Sequence, residues 1–254
     1  MVLRPTEDQR IASSTSSSVT EIAYIGNELA LFADAHNWKR YLADTLRPYL
    51  RGGVAEVGAG IGTTTAALIA NPAITEWTCI EPDLDQARSL EAMLIENGGR
   101  VARVVAGTLG DLAADAMFDT IIYIDVVEHI EDDRSELALA AAHLNPGGNL
   151  VVLVPAWEFL YSPFDRAIGH FRRYNKASLR AVAPAGLREV AAFYRDSVGF
   201  FASVANKLAL RQGMPTVAQI ALWDSYLVPL SRIADPLLAS LFGKSVILVW
   251  QRPR

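Results

Sequence analysis

Short apolar runs alternate with helical patterns through the first part of the chain. Apolar runs that suit buried strands lie at residues 54–57, 77–80, 101–105, 118–124 and 150–154. Patterns with apolar side chains three or four positions apart, which suit amphipathic helices, lie between them at residues 63–69, 84–97 and 135–144. Because strands that alternate with helices form parallel crossovers covered on both faces, the pattern predicts an α/β sheet.

A different pattern flanks this alternation on each side. Residues 27–50 have apolar positions at helical spacing, which predicts an amphipathic helix or helix pair ahead of the sheet. Residues 190–194 and 246–250 predict two further strands, and a long apolar helical segment at 199–242 separates them. We therefore expect one domain over residues 21–254, with residues 199–242 as a helical insertion or lid.

The first residues of the chain are polar and of low complexity. Residues 11–20 include seven Ser or Thr among ten, a composition that buries too little surface to offset the entropy of ordering. We expect residues 1–20 to form a flexible leader. The pattern of a secretory signal is missing, and charged residues or prolines interrupt the apolar stretches before the roughly 20 residues of a membrane span. No transmembrane helix is expected.

Charge and cysteine content narrow the class of partner. The formal net charge is −5 and the pI is about 5.4, whereas surfaces that bind nucleic acids are basic and clustered. Cys79 is the only cysteine, which excludes an internal disulfide and a zinc site built from cysteines. We expect a cytoplasmic protein that binds a small molecule and no nucleic acid.

A glycine-rich turn is the strongest local signal for a ligand site. The sequence Glu56-Val57-Gly58-Ala59-Gly60-Ile61-Gly62 follows the first strand and opens a helix. Glycines there let a ligand approach the backbone, and the helix start offers unpaired N–H groups. Glu81 ends the second strand, about 20 residues on, where a carboxylate accepts hydrogen bonds from ribose hydroxyls. For the glycines alone, a tight turn without a ligand is the alternative.

The spacing of this turn favours one nucleoside cofactor over another. A dinucleotide fingerprint would have its third glycine at position 63, which is Thr63 here. Glu56, Gly58, Gly60 and Gly62 instead resemble the acidic-x-Gly-x-Gly-x-Gly motif of class I S-adenosylmethionine-dependent methyltransferases. The resemblance spans residues 27–155 and includes the turn at residues 144–148 before the fifth strand.

The resemblance implies a fold, a cofactor and a set of contacts. The fold is α/β and Rossmann-like, doubly wound, with a seven-stranded, mostly parallel sheet, an antiparallel last strand, N-terminal helices and a helical insertion between the last two strands. The cofactor is S-adenosylmethionine, with Trp38 closing over it from the N-terminal helix. The implied cofactor-binding residues are Trp38, Glu56, Gly58, Gly60, Gly62, Glu81, Pro82, Thr108, Leu109 and Asp125.

The segment after the fourth strand, Asp125-Val126-Val127-Glu128-His129, resembles the family motif that faces the substrate. A neutral His129 is suited to accept a proton near neutral pH, and hydrogen bonding to the local backbone is an equal alternative. Some ubiquinone-pathway O-methyltransferases bind a divalent cation through a similar acidic-x-x-Glu-His segment, here Asp125, Glu128 and His129. Because Asp replaces their first Glu, we expect no metal.

The stretch from Tyr161 to Tyr174 is dense in acid, base, cationic and aromatic side chains. It follows the fifth strand at the edge where ligands bind in open α/β sheets, so it predicts an active-site lid. It also resembles a bacterial methyltransferase subgroup with an Asp-x-x-x-Gly-His-x-Arg-Arg-Tyr segment. A surface ion-pair network between Asp165 and Arg172 or Arg173 is the alternative. We expect His170 to be the first candidate base, His129 the second, and substrate to contact Tyr161, Asp165, Arg173 and Tyr174.

The apolar content of residues 199–242 is explained mainly by packing onto the domain. An apolar acceptor pocket, a homodimer surface and peripheral membrane contact remain open alternatives. The expected function is methyl transfer from S-adenosylmethionine to a small, apolar or amphiphilic acceptor by in-line displacement. The alternatives are a non-catalytic cofactor-binding protein of the same fold and a nicotinamide-dependent oxidoreductase.

Overall fold

A seven-stranded sheet forms the centre of the molecule. The computed structural model describes residues 31–96, 102–210, 214–238 and 241–254, so the predicted leader lies outside the described residues. The strands run in the order β3-β2-β1-β4-β5-β7-β6. They comprise β1 (Gly52–Val57), β2 (Ile74–Glu81), β3 (Ala102–Ala106), β4 (Phe118–Ile124), β5 (Leu144–Pro155), β6 (Arg188–Arg195) and β7 (Ser245–Gln251).

The pairing of the strands confirms the predicted fold class. Strands β1 to β5 pair in parallel with their neighbours, whereas β7 pairs antiparallel with both β5 and β6. The helices in chain order are α1 (His36–Leu46), α2 (Thr65–Leu68), α3 (Leu84–Glu96), α4 (Asp133–Ala142), α5 (Pro163–Ala167), α6 (Lys176–Ala181), α7 (Ser197–Ala205), α8 (Val217–Leu222) and α9 (Val228–Leu238).

The central strands are buried on both faces, which explains their continuous apolar runs. In β5, Val151 and Leu153 belong to one hydrophobic cluster, while Val152 and Val154 belong to the other. Successive side chains of a strand point to opposite faces, so a strand covered on both sides has no polar positions to alternate with. The two clusters are therefore the two layers between the sheet and its flanking helices.

The start of β5 differs from the prediction. The sequence predicts a helix up to residue 144 and a turn at residues 144–148, but β5 already begins at Leu144. Pairing with β4 shifts from Phe118–Leu144 to Thr120–Asn149, so the predicted turn is an irregularity within the strand. Gly147 has a φ of +83°, a conformation that glycine adopts without strain and that lets the strand accommodate the extra residues.

Buried polar contacts join the helical insertion to α1. Asp196, fully buried ahead of α7, accepts hydrogen bonds from Trp223 Nε1 at 2.7 Å and Ser231 Oγ at 2.6 Å. Asp224 accepts one from the Trp38 backbone N–H at 2.8 Å. The Tyr41 hydroxyl donates to Asp235 at 2.6 Å. The inner face of the insertion is thereby held against the helix that precedes the sheet.

The outer face of the insertion remains apolar and exposed. Its large apolar side chains with more than half of their surface exposed include Leu208, Val217, Leu222, Leu230, Ile233 and Leu237. Among the described residues, no helix is both long and apolar enough to cross a membrane.

Candidate active site

A cavity of about 910 Å³ lies at the carboxyl ends of the parallel strands. Its walls come from the segments that follow β1, β2, β3 and β4, from the end of β5, and from residues 164–173. This is the edge at which ligands bind in open α/β sheets. We call the part around residues 56–64, 81–83 and 107–109 the cofactor half, and the part around residues 125–130 and 164–173 the acceptor half.

Close packing explains the glycines of the turn in the cofactor half. Gly58 has a φ of +70°, and a Cβ atom there would lie 2.6 Å from Val126 Cγ2. Gly62 has a φ of +81°, and a Cβ atom there would overlap Met93 and Leu90 of α3. A larger residue at either position would strain the backbone and displace its neighbours. The turn therefore brings backbone against the cavity on one side and against α3 on the other.

Glu81 organises the cofactor half from the end of β2. Its Oε2 accepts a hydrogen bond from the Gly60 backbone N–H at 2.7 Å, and its Oε1 accepts one from the Asp83 N–H at 3.0 Å. Burial raises the pKa of the Glu81 carboxyl, while these two N–H groups oppose the rise. Each carboxylate oxygen keeps acceptor capacity beyond these bonds, and the side chain lines the cavity.

The Glu56 carboxylate forms hydrogen bonds with side chains of the protein. Its Oε2 accepts hydrogen bonds from Thr65 Oγ1 at 2.6 Å and Trp77 Nε1 at 3.0 Å. Burial, opposed by these two donors and reinforced by the charge of Glu81, raises the pKa of Glu56 to about 7. The carboxyl therefore ties the start of α2 to β2 beneath the glycine turn.

Most of the predicted cofactor-binding residues meet at this cavity. Gly62 is the exception, because it faces α3 instead. Trp38 reaches the cavity from α1, with its indole ring 5.7 Å from that of Trp223. The predicted cofactor residues that line the cavity are Trp38, Glu56, Gly58, Gly60, Glu81, Pro82, Thr108, Leu109 and Asp125.

A buried carboxylate holds the acceptor half together. Asp165 accepts hydrogen bonds from Arg173 Nε at 2.7 Å, Arg173 Nη2 at 3.0 Å and His170 Nδ1 at 2.9 Å. As the third residue of α5, it also accepts one from the Ser162 backbone N–H at 2.9 Å. Burial alone would raise the pKa of Asp165, but the bonds from His170 and Arg173 hold it well below its usual range. The ion pair between Asp165 and Arg173, considered from the sequence as a surface pair, is present and is buried.

Three of the residues predicted to contact substrate instead support the loop. Asp165 is fully buried behind His170. The Tyr161 hydroxyl donates to the His170 backbone oxygen at 2.6 Å, and the Tyr174 hydroxyl donates to Asp133 at 2.6 Å. These side chains are satisfied within the protein and are not among the cavity-lining residues, whereas Arg173 and His170 are.

The two predicted base candidates are neighbours. The rings of His129 and His170 lie edge to face with their centroids 4.5 Å apart, and both line the cavity. Burial, and then the charge of His170, lowers the pKa of His129 to about 4, which leaves that imidazole neutral at pH 7. Burial also raises the pKa of the nearby Asp125 carboxyl to about 6, against the opposing charges of His170 and Lys244.

Glu128 has an unusual environment between these groups. It is fully buried, and neither of its carboxylate oxygens has a hydrogen-bond partner among the described residues. Burial, and then the charge of Asp125, raises its pKa well above the usual range. Its Oε1 lies 3.8 Å from His170 Nε2. The sequence analysis identified Glu128 as part of the motif after β4. Nothing in the sequence indicates that its carboxylate lacks hydrogen-bond partners among the described residues.

Two residues that line the cavity, Lys244 and Trp223, were not predicted from the sequence as site residues. Lys244 is half-buried with its ammonium 4.3 Å from the centroid of the Trp223 ring, and desolvation lowers its pKa. Both residues line the cavity. The signal for Lys244 was the antiparallel last strand, because that direction places Ser245 opposite Pro155 at the carboxyl end of β5. Trp223 lay within the apolar insertion without a local signal.

Comparisons with known proteins agree with this fold. Residues 55–150 match the family model described as a methyltransferase domain, which covers less than half of the chain. No curated protein sequence matches the chain.

Solved structures share the fold at low sequence identity. A putative sarcosine dimethylglycine methyltransferase from Galdieria sulphuraria is 17% identical, with 86% of this chain and 85% of that one covered and a TM-score of 0.57. An S-adenosylmethionine-dependent methyltransferase from Clostridium acetobutylicum is 10% identical, with 87% and 93% covered and a TM-score of 0.55. The [4+2]-cyclase SpnF is 16% identical, with 90% and 95% covered and a TM-score of 0.58.

Proposed function

We propose that this protein is an S-adenosylmethionine-dependent methyltransferase acting on a small, apolar or amphiphilic acceptor. The observation that carries the proposal is the cavity-facing Glu81, held by the Gly60 N–H at the end of β2 within the segment that matches a methyltransferase domain. A carboxylate in this position is suited to accept hydrogen bonds from both ribose hydroxyls of a nucleoside. The glycine turn lets the ligand lie against backbone.

We assign each part of the cofactor to the cavity residues that would contact it. Glu81 would bind the ribose, Thr108 and Leu109 would border the adenine, and Asp125 would face the methionine part. Trp38 would cover the ligand from α1. Asp125 lies where the cofactor half meets the acceptor half, so the sulfonium methyl would point toward residues 164–173.

Methyl transfer from a sulfonium needs alignment above all. The acceptor's nucleophilic atom attacks the methyl carbon in line with the leaving sulfur, the carbon–sulfur bond breaks, and S-adenosylhomocysteine is released. Good orientation contributes roughly 7–11 kcal/mol of the barrier, whereas a base typically adds about 10²–10⁴-fold. The acceptor half supplies apolar walls from Phe164 and Ile168, which supports an apolar or amphiphilic acceptor.

His170 supplies a nitrogen in the acceptor half. Because its Nδ1 is bonded to Asp165, its Nε2 is the nitrogen left to serve the cavity. Two roles suit that atom: accepting a proton from the acceptor, as expected from the sequence, or ligating a cation. His129 is the second candidate for the proton.

Ligand binding by a matched pair of variants tests the proposal. Calorimetry should show that the purified protein binds S-adenosylhomocysteine and not NAD. Glu81→Ala should weaken that binding by tenfold or more, since a hydrogen bond to a charged group contributes about 1.5–3 kcal/mol. Glu76→Ala, an exposed position on the same strand, should bind like the wild type.

Unchanged affinity in a folded Glu81→Ala variant would remove the cofactor assignment, and NAD binding would favour the oxidoreductase. Turnover is a separate question, because a cyclase shares this fold. Release of S-adenosylhomocysteine in the presence of hydroxylated amphiphiles would establish catalysis. Cofactor binding without such release across that set would favour a non-catalytic or different role.

A further inference from the structure

Three side chains from two separate segments of the chain converge in the acceptor half. Glu128 and His129 follow β4, and His170 lies in the loop after β5. One ligand atom from each, a carboxylate oxygen and two imidazole nitrogens, lies within 4.8 Å of the others. The Phe171 backbone N–H donates to the Glu128 backbone oxygen at 2.8 Å, which joins the two loops beside the cluster.

The carboxylate in this cluster lacks the partners that buried carboxylates normally have. Both oxygens of Glu128 are buried without a hydrogen bond to any described residue. His170 Nε2 lies 3.8 Å from Glu128 Oε1, which is beyond hydrogen-bonding distance. Burying an ionised group without compensation is very costly. A bound cation would satisfy Glu128, and the separation from Nε2 suits two ligands of one ion.

The surroundings of His170 resemble those of a metal-ligating imidazole. Metal-bound histidines almost always donate their other ring N–H to a carboxylate, a backbone carbonyl or water, which fixes the tautomer and the ring orientation. His170 Nδ1 bonds Asp165 at 2.9 Å, and Arg173 holds that carboxylate with two hydrogen bonds. The arrangement directs Nε2 toward Glu128.

We propose that Glu128, His129 and His170 bind a divalent transition-metal ion at the wall of the cavity. Two imidazoles with one carboxylate suit Mn²⁺, Fe²⁺, Co²⁺, Ni²⁺ or Zn²⁺, whereas Mg²⁺ and Ca²⁺ prefer oxygen ligands throughout. This reverses the expectation of no metal. It also changes the ligand set, because His170 replaces Asp125 and comes from a different loop.

The ion would leave coordination positions open toward the cavity. A hydroxyl oxygen bound there would lose its proton more readily, because a divalent cation lowers the pKa of a bound O–H group. The site would therefore select acceptors with a hydroxyl group, and His170 would act as a ligand rather than as a base. This consequence rests on the proposed methyl transfer, but the ion site itself does not.

Cobalt titration of the full chain tests the ion site directly. Protein stripped with a chelator should bind one equivalent of Co²⁺ by calorimetry and develop the visible absorption of a coordinated ion. Glu128→Gln and His170→Asn should each weaken Co²⁺ binding by 100-fold or more. Asp165→Asn, which keeps all three proposed ligands but removes the carboxylate that supports His170, should weaken it by about 10–100-fold. The exposed matched controls Glu131→Gln and His36→Asn should bind like the wild type.

Two results would overturn the site: no stoichiometric binding of Co²⁺, Mn²⁺ or Zn²⁺ by the wild type, or a Co²⁺ affinity of Glu128→Gln and His170→Asn equal to that of the wild type. In the first case, Glu128 is simply a protonated buried acid. Circular dichroism of the same samples reports folding, and binding of S-adenosylhomocysteine is measured in them separately. If Co²⁺ binds and S-adenosylhomocysteine does not, the ion site stands and the proposed function fails; the reverse result fails the ion site alone.

Discussion

The two halves of the cavity differ in whether all of their buried acids have hydrogen-bond partners. In the cofactor half, Glu56 and Glu81 each accept two hydrogen bonds from groups beside the glycine turn. In the acceptor half, Asp165 accepts bonds from Arg173, His170 and Ser162, while Glu128 accepts none from the described residues. The buried acids of the cofactor half are thus satisfied within the protein, whereas the acceptor half has one carboxyl group without a hydrogen-bond partner among the described residues.

The largest expected effect comes from breaking the carboxylate that organises the acceptor half. Asp165→Asn leaves the Arg173 guanidinium buried without its counter-charge, and loss of one partner of a buried pair costs about 3–5 kcal/mol. Urea denaturation should show this loss in the free energy of unfolding, while the folded variant keeps its affinity for S-adenosylhomocysteine.

The matched control for Asp165→Asn is Glu189→Gln, which breaks the exposed pair of Glu189 with Arg180. It should change the free energy of unfolding by less than about 1 kcal/mol. If the two variants lose similar stability, the buried network does not organise the acceptor half. If Asp165→Asn abolishes cofactor binding in folded protein, the two halves are not independent.

A glycine variant tests whether the cofactor half depends on close backbone packing. Gly62→Ala places a methyl group against Met93 and Leu90 at a φ of +81°. Overpacking costs about 1–3 kcal/mol, and the positive φ adds about 1–2 kcal/mol. Gly186 shares the φ of +81° but would place a Cβ atom in open space, so Gly186→Ala should show the backbone cost alone. Equal losses by urea denaturation would mean that the contact with α3 contributes nothing.

The smallest expected effect concerns Glu56, a buried acid that accepts two hydrogen bonds. The pKa of Glu56 is raised from 4.5 to about 7, so the unfolded chain ionises first as pH rises. The stability contribution of Glu56 is therefore fully present below about pH 4.5 and is lost as pH approaches 7. Glu56→Gln should remove this dependence and shift the stability difference between variant and wild type by on the order of 3 kcal/mol across that window. If urea denaturation gives the same difference in the free energy of unfolding between variant and wild type at pH 4.5 and at pH 7.5, this prediction is wrong.

The cofactor half could be predicted because its signals are local in the sequence. Strand β4 was predicted at residues 118–124, its bounds in the structure, since its apolar run has clear ends. The glycine turn and Glu81 are each attached to the end of a predicted strand, and parallel strands bring such ends together. The cofactor contacts themselves stay predictions.

The acceptor half was harder to predict from the sequence, because its arrangement depends on contacts between residues that are far apart in the chain. Nothing in the spacing of Glu128 and His170 shows that they approach within 3.8 Å. One element of this half has a local signal, however. Ser162-Pro163-Phe164-Asp165 has the pattern of a helix start with a capping box and proline at its first position, and α5 does begin there. That pattern indicates that Asp165 caps a helix.

The position of β7 in the sheet has a consequence for how the chain is made. This strand follows the other six described strands in sequence, yet it pairs with β5 on one side and β6 on the other. While residues 245–251 are still inside the ribosome, residues 149–155 of β5 present an unpaired apolar edge, and β6 has no strand to join. Chains grow at about 5–20 residues per second, and open sheet edges favour pairing with other chains. The nascent protein is therefore exposed to aggregation until its last strand emerges.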